Sequence, residues 1–443
     1  MKALRIGIDG YNFAIPHGTG IASYGLMLAK TLATMGHQVD GLFGIDPGND
    51  PSLHEVLFYE RLAQAVPPAR MSLPRRLATD LGWAKPQVVP IPSGSVETGA
   101  FAERLPAFRQ IWTGARLFDA AMRRFRLTGK MTQISLPDPP DIMHWTYPVP
   151  LCVRGIPNIY TVHDLVPLKL PHTTLDRKPE FKALIDACTA SAAQICTVSV
   201  ASQHDIEDMF PQAAGMVTNT HQVSSLLDGE VFSVRPHDVA ALQAFDLKPK
   251  GYFLFFGAIE PKKNIGRLLE AYLSLDTETP LVLVSSRSWQ SDQELALLNR
   301  SAPAENGQRG KNGIVRINHV PRAILKGLIA QARAVLFPSL YEGFGLPAHE
   351  AMLMGTPVLT SDRGGLREVA GDAAILIDPY DVESIAEGLY RLDTDDSLRE
   401  ALAKAGKDHA ARFSIEKYRT ALGVLYTRAW GKHDAGSVER NVS

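Results

Sequence analysis

Short, nearly uninterrupted apolar runs alternate along the chain with longer segments in which apolar residues recur every three or four positions. The first run covers residues 4–9, and a segment with helical periodicity follows at residues 21–35. Uninterrupted apolar runs are typical of strands buried on both faces, and their alternation with helices indicates parallel, doubly wound sheets. The same pattern predicts further strands at residues 38–43, 142–145, 158–162, 194–199, 252–257, 281–285, 313–317, 334–337, 356–360 and 374–378.

The predicted strands fall into two groups that a polar segment separates. The first group belongs to a predicted domain of residues 1–232, which contains an irregular, partly helical insertion at about 46–140 with many Pro and Gly residues. A linker is predicted at 233–250 and a second domain at 251–412. An amphipathic helix at 413–431 and a disordered tail at 432–443 complete the predicted organisation.

Within the insertion, the periodicity predicts one helix over residues 106–125. Its apolar face would carry Phe108, Ile111, Trp112, Ala115, Phe118, Met122 and Phe125. Arg109, Arg116 and Arg123 recur every seventh position along the edge of that face. One interpretation is a core-facing helix whose arginine heads reach solvent. The other is contact with an anionic membrane surface or a lipid-diphosphate acceptor.

Composition narrows the class of protein. A chain of 443 residues is long enough for two or three domains with cores of their own. Lys+Arg 46 against Asp+Glu 47 leaves a net charge of -1, so nucleic acid is not an expected partner. The three cysteines suit neither a disulfide framework nor a zinc site, which predicts a cytoplasmic location. With neither a signal peptide nor a membrane span recognised, peripheral contact with the inner face of the membrane stays open.

The candidate chemistry centres on residues 336–360, which are predicted to form a strand, a glycine-rich loop, a short helix and the next strand. Such a loop directs free backbone N–H groups and a helix N-terminus at one point, where an anion such as phosphate can bind. Glu342 and Glu350 flank that point. Because a carboxylate accepts hydrogen bonds from hydroxyl groups, the two acids suit the sugar or ribose hydroxyls of the same ligand. Alternatively, each acid is a solvated charge, Glu350 favoured by the helix dipole.

Residues 342–350, Glu-Gly-Phe-Gly-Leu-Pro-Ala-His-Glu, resemble the signature of retaining glycosyltransferases with the GT-B architecture, and of glycosyltransferase family 4 in particular. The sequence is also similar to that family in order and spacing from about residue 252 to 381. The resemblance implies an α/β fold with two Rossmann-like, doubly wound domains facing a cleft, and a C-terminal helix that crosses back to the first domain. It implies transfer of a hexose from a nucleotide-diphosphate sugar to a hydroxyl of a saccharide or lipid-linked glycan. No metal would be required, and likeness to bacterial polysaccharide mannosyltransferases makes GDP-mannose the first candidate donor.

Two lysines follow the first predicted strand of the second domain, where they are either a solvated surface or a clamp for a diphosphate. The resemblance favours the clamp and assigns Lys263 to it. Ala258 stands where the family often has Arg and Lys262 where close relatives have Arg, so Lys262 as the second cation of the clamp stays open. It implies that His163, in a His-Asp pair with Asp164, lies near the transferred sugar. For the donor it implies contacts by Thr19, Gly20, Val320, Gly343, Phe344, Gly345, Leu346, Glu342 on the sugar and Glu350 on the ribose.

Several alternatives remain open. Residues 18–23 and Asp40 resemble a dinucleotide-binding fingerprint, although the glycines start eight residues after the strand. A nucleotide-sugar epimerase or phosphorylase could share the two-domain body, and so could a catalytically silent sugar-nucleotide-binding subunit. Asp393 and Asp395 have the spacing of a metal-binding pair, but they follow a helix in a charged turn, and no metal is assigned to them. One departure from the family stands at residues 219–232, where its usual Pro-Asn-Gly-Val-Asp turn is absent.

Overall fold

Two sheets organise the chain, the first parallel except for one edge pair and the second parallel throughout. The computed structural model describes residues 3–15, 20–64, 87–101, 104–224, 242–285, 294, 313–318 and 320–441. Among these residues, the first sheet has eight strands in the order β10-β9-β8-β6-β1-β2-β4-β3, and the second has six in the order β13-β12-β11-β14-β15-β16. Their connections cross over between parallel neighbours, which is the doubly wound arrangement that the alternating pattern predicts.

The strands of the first sheet are short and largely buried. They are β1 (Arg5–Asp9), β2 (Gln38–Phe43), β3 (Val89–Ile91), β4 (Gln110–Thr113), β6 (Ile142–Trp145), β8 (Asn158–Thr161), β9 (Gln194–Thr197) and β10 (Val217–Asn219). The small pair β5 (Thr132–Ile134) and β7 (Leu151–Val153) lies beside them. All neighbours in the sheet are parallel except β3 and β4. In register, Ile6 lies between Val39 and Ile142, so the centre of the sheet is aliphatic on both sides.

The second sheet is parallel throughout. Its strands are β11 (Phe253–Phe256), β12 (Leu281–Val284), β13 (Ile314–Ile317), β14 (Ala334–Phe337), β15 (Val358–Ser361) and β16 (Ile375–Ile377). Every residue of β11, β12, β14 and β15 is buried, as expected where helices cover both faces of a sheet. The segments with helical periodicity in the sequence form the helices that cover these faces.

The helices of four or more residues are α1 (Gly20–Thr34), α2 (His54–Gln64), α3 (Leu117–Thr128), α4 (Val166–Lys169), α5 (Lys178–Ser191), α6 (Val200–Met209), α7 (Ile265–Leu273), α8 (Arg322–Gln331), α9 (Leu346–Leu353), α10 (Gly364–Ala370), α11 (Val382–Thr394), α12 (Asp396–Ala410) and α13 (Ile415–Asn441). In the described part of the chain, none of them has the length and apolar character that a bilayer span requires.

Helix α13 leaves the second domain and packs against the first. Its Tyr426 is fully buried, and the phenol lies 2.7 Å from His144 Nδ1 on β6, while His144 Nε2 lies 2.8 Å from Thr161 Oγ1 on β8. This crossing agrees with the predicted C-terminal helix that returns to the first domain. Helix α13 extends beyond the predicted helix end at residue 431, to Asn441. The predicted disorder of the tail at 432–443 stays a prediction.

We expect stability to fall as the pH drops from about 6.5. Burial lowers the pKa of His144 to about 3, whereas a histidine in an unfolded chain titrates near 6.5. The unfolded state therefore binds more protons between these values, and His144 contributes a loss of about 2 kcal/mol in unfolding free energy at pH 5. Urea denaturation at pH 7.5 and pH 5 measures that loss. The His144→Gln variant should be less stable than the wild type at pH 7.5, but its unfolding free energy should fall less between pH 7.5 and pH 5. An equal fall in the two proteins would show that His144 does not cause the pH dependence.

The helix predicted over residues 106–125 is wrong in its first half. Residues 110–113 form strand β4, in which Trp112 pairs with Leu42 of β2, and the helix begins only at Leu117. Arg116 precedes it with a left-handed φ of 57°. The apolar positions fitted a helical period, but a short aromatic and β-branched run fits a strand equally well, and pairing with β2 decides between them.

The predicted row of arginines therefore does not form. Arg109 lies before β4 and makes a two-pronged ion pair with the buried Asp40, at 2.9 and 2.6 Å. Only Arg123 of the three lies within α3. The predicted contact between this row and a membrane loses its structural basis. Because Asp40 is buried in this ion pair, its carboxylate does not serve as the ribose-binding acid that the dinucleotide interpretation requires.

Candidate active site

A cleft of about 1020 Å³ lies between the two domains, at the carboxyl ends of both sets of parallel strands. This is where open α/β sheets place their ligands, and the volume is that of a pocket for a nucleotide-sized molecule. The predicted site residues that line it are Gly20, His163, Lys262, Lys263, Val320, Glu342, Gly343, Phe344, Gly345, Leu346 and Glu350. Thr19, which was also predicted, lies outside the described residues, as does His319 beside Val320.

The glycine-rich loop runs from the end of β14 to the start of α9. Gly345 has a φ of 104°, a left-handed conformation that favours glycine, and it turns the chain into α9. Pro347 occupies the first turn of the helix, where no backbone N–H is needed. The first turn of α9 therefore faces the cleft with free N–H groups and the positive end of the helix dipole.

Glycines allow this loop to be packed from two sides. A Cβ on Gly343 would lie 2.2 Å from the carbonyl oxygen of His163 in the first domain. On the other side, a Cβ on Gly365 would lie 2.2 Å from the Gly343 carbonyl oxygen, and Gly365 N–H donates to the Glu342 carbonyl at 3.0 Å. The loop is thus held between the two domains at backbone contact distance, in a closed arrangement.

The two lysines come from a short 3-10 turn, Pro261–Lys263, that directly precedes α7. Asn264 ends the turn with a left-handed φ of 61°, and its side-chain amide donates to the carbonyls of Pro338 and Pro379 at 3.1 and 2.7 Å. Leu340 N–H donates to the Lys262 carbonyl at 2.7 Å. These bonds fasten the lysine turn to the glycine-rich loop, so both segments face one point.

Glu342 is the carboxylate at that point. Its oxygens lie 2.5 Å from Lys263 Nζ and 3.6 Å from Lys262 Nζ, and all three side chains are largely buried. Burial raises the pKa of Glu342, but the two ammonium groups outweigh it and hold the pKa below its usual value. Burial lowers the pKa of Lys262, and Glu342, Asp164 and Glu260 outweigh that effect and raise it. Glu260, whose carboxylate lies 3.6 Å from Lys262 Nζ, is a second acid at this point, so two lysines and two carboxylates meet here.

Glu350 lies in the second turn of α9 and also lines the cleft. Burial raises the pKa of its carboxyl group, and a hydrogen bond from Ser224, at 2.8 Å, with Arg322 and Lys326 on α8, partly offsets that effect. The cations of α8 and the carboxylate of α9 thus share one end of the cleft, with Val320 beside them.

His163 forms part of the opposite wall, in the first domain. Its Nε2 lies 2.8 Å from the Thr146 carbonyl oxygen, which can only accept, so Nε2 carries a proton. Because burial lowers the pKa of His163, the ring is neutral near pH 7, and Nδ1 is left as an acceptor. Asp9 supports this wall from beneath: its carboxylate accepts from the Thr146 N–H at 2.5 Å.

Asp393 and Asp395 have structural roles away from the cleft. Asp393 accepts hydrogen bonds from Thr279 Oγ1 and Arg333 Nη1 at 2.6 and 2.8 Å. Asp395 precedes α12 and accepts from Leu398 N–H at 2.8 Å, which is an N-cap contact. Both carboxylates therefore stabilise the second domain.

Sequence reasoning missed several residues at the site. Tyr147 and Gln222 line the cleft from the first domain, and Arg322 and Lys326 line it from the second. Ser224 contacts Glu350 across the domain boundary. The departure from the family pattern at residues 219–232 was the one available signal, because a changed segment at a domain junction is free to make new contacts.

A family model and two relatives indicate the same class of protein. Residues 243–409 match the family model described as Glycosyl transferases group 1. The O-antigen chain mannosyltransferase B of Escherichia coli is 35% identical over 269 residues, which cover 59% of this chain and 68% of that one. The serotype-specific mannosyltransferase WbdA of Escherichia coli is 27% identical over 281 residues, but the match covers 61% of this chain and only 33% of WbdA.

A solved structure supports the fold. Sucrose-phosphate synthase from Thermosynechococcus elongatus superposes with a TM-score of 0.63 over 97% of this chain and 100% of that one, at 17% identity. Likeness at that identity concerns architecture alone. Together with the two parallel sheets, it confirms the predicted fold class of two Rossmann-like domains facing a cleft.

Proposed function

Because the chain belongs to the group 1 glycosyl transferases, we propose that it moves a hexose, with mannose as first candidate, from a nucleotide-diphosphate sugar to a hydroxyl group of a saccharide or lipid-linked glycan. One observation carries the proposal: Lys263, Glu342, Glu350 and the N–H groups at the start of α9 meet in one cleft between the domains. Each group suits a different part of the same donor.

The diphosphate is assigned to the lysines and the loop. Lys262 and Lys263 supply two positive charges, and the N–H groups from Gly343 to Leu346 supply neutral donors. Glu342 lies 2.5 Å from Lys263 Nζ and 3.6 Å from Lys262 Nζ, so an entering diphosphate competes with Glu342 for these lysines. Glu342 is then available to accept hydrogen bonds from sugar hydroxyls, while Glu350 accepts from the ribose.

The reaction we propose breaks the bond between the anomeric carbon and a phosphate oxygen and forms a bond to the acceptor oxygen on the same face of the sugar. The departing phosphate takes the proton of the acceptor hydroxyl. The configuration at the anomeric carbon is thereby retained without a protein nucleophile. The two ammonium groups and the loop amides stabilise the charge that develops on the leaving diphosphate, which is the role a divalent metal has in other transferases.

The acceptor is assigned to the wall formed by the first domain. His163 Nδ1 can accept a hydrogen bond from a sugar hydroxyl, and Tyr147 beside it offers an aromatic face. Two relatives are named as mannosyltransferases, and one of them acts on an O-antigen chain. Their names support mannose as the transferred sugar and a polysaccharide as the acceptor.

A donor panel tests the proposal. We expect GDP-mannose and GDP to raise the melting temperature more than UDP, ADP and their sugars do, because tight ligands stabilise the folded state by mass action. GDP should be released only when a mannose-containing acceptor is present, at an unchanged rate in EDTA, and the product should keep the α configuration. Sugar turnover without acceptor would favour an epimerase. Binding without any turnover would favour a silent subunit, and either result would reject the proposal.

A further inference from the structure

The carboxylate that we assign to the donor ribose is held by a hydroxyl group from the other domain. Ser224 Oγ donates to Glu350 Oε1 at 2.8 Å, and the serine is almost completely buried. We propose that Ser224 is a positioning residue for donor binding: it orients Glu350 toward the ribose and makes that contact dependent on closure of the domains. This inference rests on the proposed function, since it takes Glu350 as the ribose-binding group.

The path of the chain explains how Ser224 reaches the second domain. Strand β10 ends at Asn219, whose side-chain oxygen accepts from His221 N–H at 2.8 Å. His221 has a left-handed φ of 57°, so the chain turns sharply there. After the turn, Gln222 and Val223 line the cleft and Ser224 meets Glu350. Thr220, just before the turn, stays fastened to the first domain through the Thr197 carbonyl.

A second contact docks the same segment on the second domain. His221 Nε2 lies 2.7 Å from Glu368 Oε1 on α10. The other oxygen of Glu368 accepts from Val200 N–H at 2.8 Å, at the start of α6 in the first domain. Residues 221–224 thus bridge the domains at two places, which means that Ser224 can hold Glu350 only while the domains are together.

The bond to Ser224 leaves capacity on Glu350 for the ligand. An ionised carboxylate has two oxygens and room for about four hydrogen bonds, so one bond from a serine still permits bonds from ribose hydroxyls. Ionisation is the condition, because a protonated carboxyl loses acceptor capacity. Burial raises the pKa of Glu350, and the groups that oppose this rise are Ser224, Arg322 and Lys326. Ser224 is the one of the three that belongs to the first domain.

The consequence concerns binding more than chemistry. The anomeric carbon and the diphosphate lie at the other end of the ligand, against Lys263 and Glu342. Loss of the serine hydroxyl should therefore raise KM for the donor and leave kcat almost unchanged. It should also move the acid limb of donor binding to higher pH, because Glu350 loses a donor that favours its ionised form.

The experiment compares Ser224→Ala with Thr220→Ala, which removes a buried hydroxyl from the same segment without touching Glu350. For Ser224→Ala we expect the Kd for GDP, by calorimetry, and KM for the donor to rise about 10-fold, since hydrogen bonds to charged groups are the stronger ones. Its kcat should stay within about 2-fold of the wild type. Thr220→Ala should match the wild type in Kd and pH profile, and Ser224→Thr should restore most of the affinity.

Equal effects of Ser224→Ala and Thr220→Ala on Kd would overturn the inference, since the segment would then matter only for folding. An unchanged Kd and pH profile in Ser224→Ala would overturn it as well, while leaving the proposed function intact. A wild-type protein that binds none of GDP, UDP and ADP would reject the proposed function instead. Melting temperatures of all variants establish that folded proteins are being compared.

Discussion

Lys263→Ala should lose about 100- to 1000-fold in kcat, because groups that stabilise developing charge contribute about 3–4 kcal/mol each to the transition state. Lys263 is largely buried, lies 2.5 Å from Glu342, and is placed 4.7 Å over the ring of Phe337, so its ammonium group is held at one position. Affinity for nucleoside diphosphate should fall too, because the cation contacts the diphosphate before and after transfer.

Initial rates at saturating donor and the Kd for GDP measure the two effects. Lys404→Ala is the matched control, because Lys404 is an exposed lysine of the same domain on α12. That variant should keep the wild-type rate and affinity. A Lys263→Ala protein that melts at the wild-type temperature and turns over normally would contradict the assignment of this lysine to the leaving diphosphate.

Glu342→Ala should lose activity without the loss of affinity for GDP that we expect for Lys263→Ala. Its kcat should fall by at least about 100-fold, because the sugar loses a carboxylate that fixes its hydroxyl groups close to the reacting carbon. Affinity for GDP, however, should be unchanged or higher. Removal of the acid frees Lys263 from its ion-pair partner and leaves Lys262 with Glu260, at 3.6 Å, so the entering diphosphate no longer competes with Glu342.

The unliganded Glu342→Ala protein should also be less stable, by about 3–5 kcal/mol, since removing one partner of a buried ion pair leaves uncompensated charge. Saturating GDP should restore part of that loss by supplying a new anion for the lysines. Denaturation with and without GDP measures both quantities, and Glu342→Gln separates the effect of charge from that of volume. A weaker affinity for GDP in Glu342→Ala would show that Glu342 does not compete with the diphosphate.

The two variants together test the arrangement of the site. Lys263→Ala loses catalysis and diphosphate binding, whereas Glu342→Ala loses catalysis and keeps diphosphate binding. A common loss of both properties would indicate general damage to the cleft. The difference in sign follows from one feature of the structure, the ion pair that the ligand must open.

Local pattern was sufficient for much of this protein. The strands at 334–337 and 253–256, the loop after the first of them and the helix from Leu346 follow from apolar runs, glycine turns and a proline in a first turn. These signals depend on neighbours within a few residues. For the same reason, Glu342 and Glu350 could be assigned to one point from their spacing in the sequence, and the cleft indeed holds both.

Contacts between residues far apart in the sequence decided the rest. A short apolar run near residue 111 fits either a helix or a strand, and only pairing with β2 makes it β4. The sequence placed Arg109 in a basic row, but the structure shows it in an ion pair with Asp40 on strand β2. For Ser224 the one signal was the departure from the family pattern at residues 219–232, which does not reveal its role, because that role depends on the second domain being placed against it. The sequence by itself thus determined most strands and helices and the two acids near the glycine-rich loop. The tertiary structure determined which side chains from the two domains meet there, because those contacts depend on how the domains pack and not on spacing along the chain.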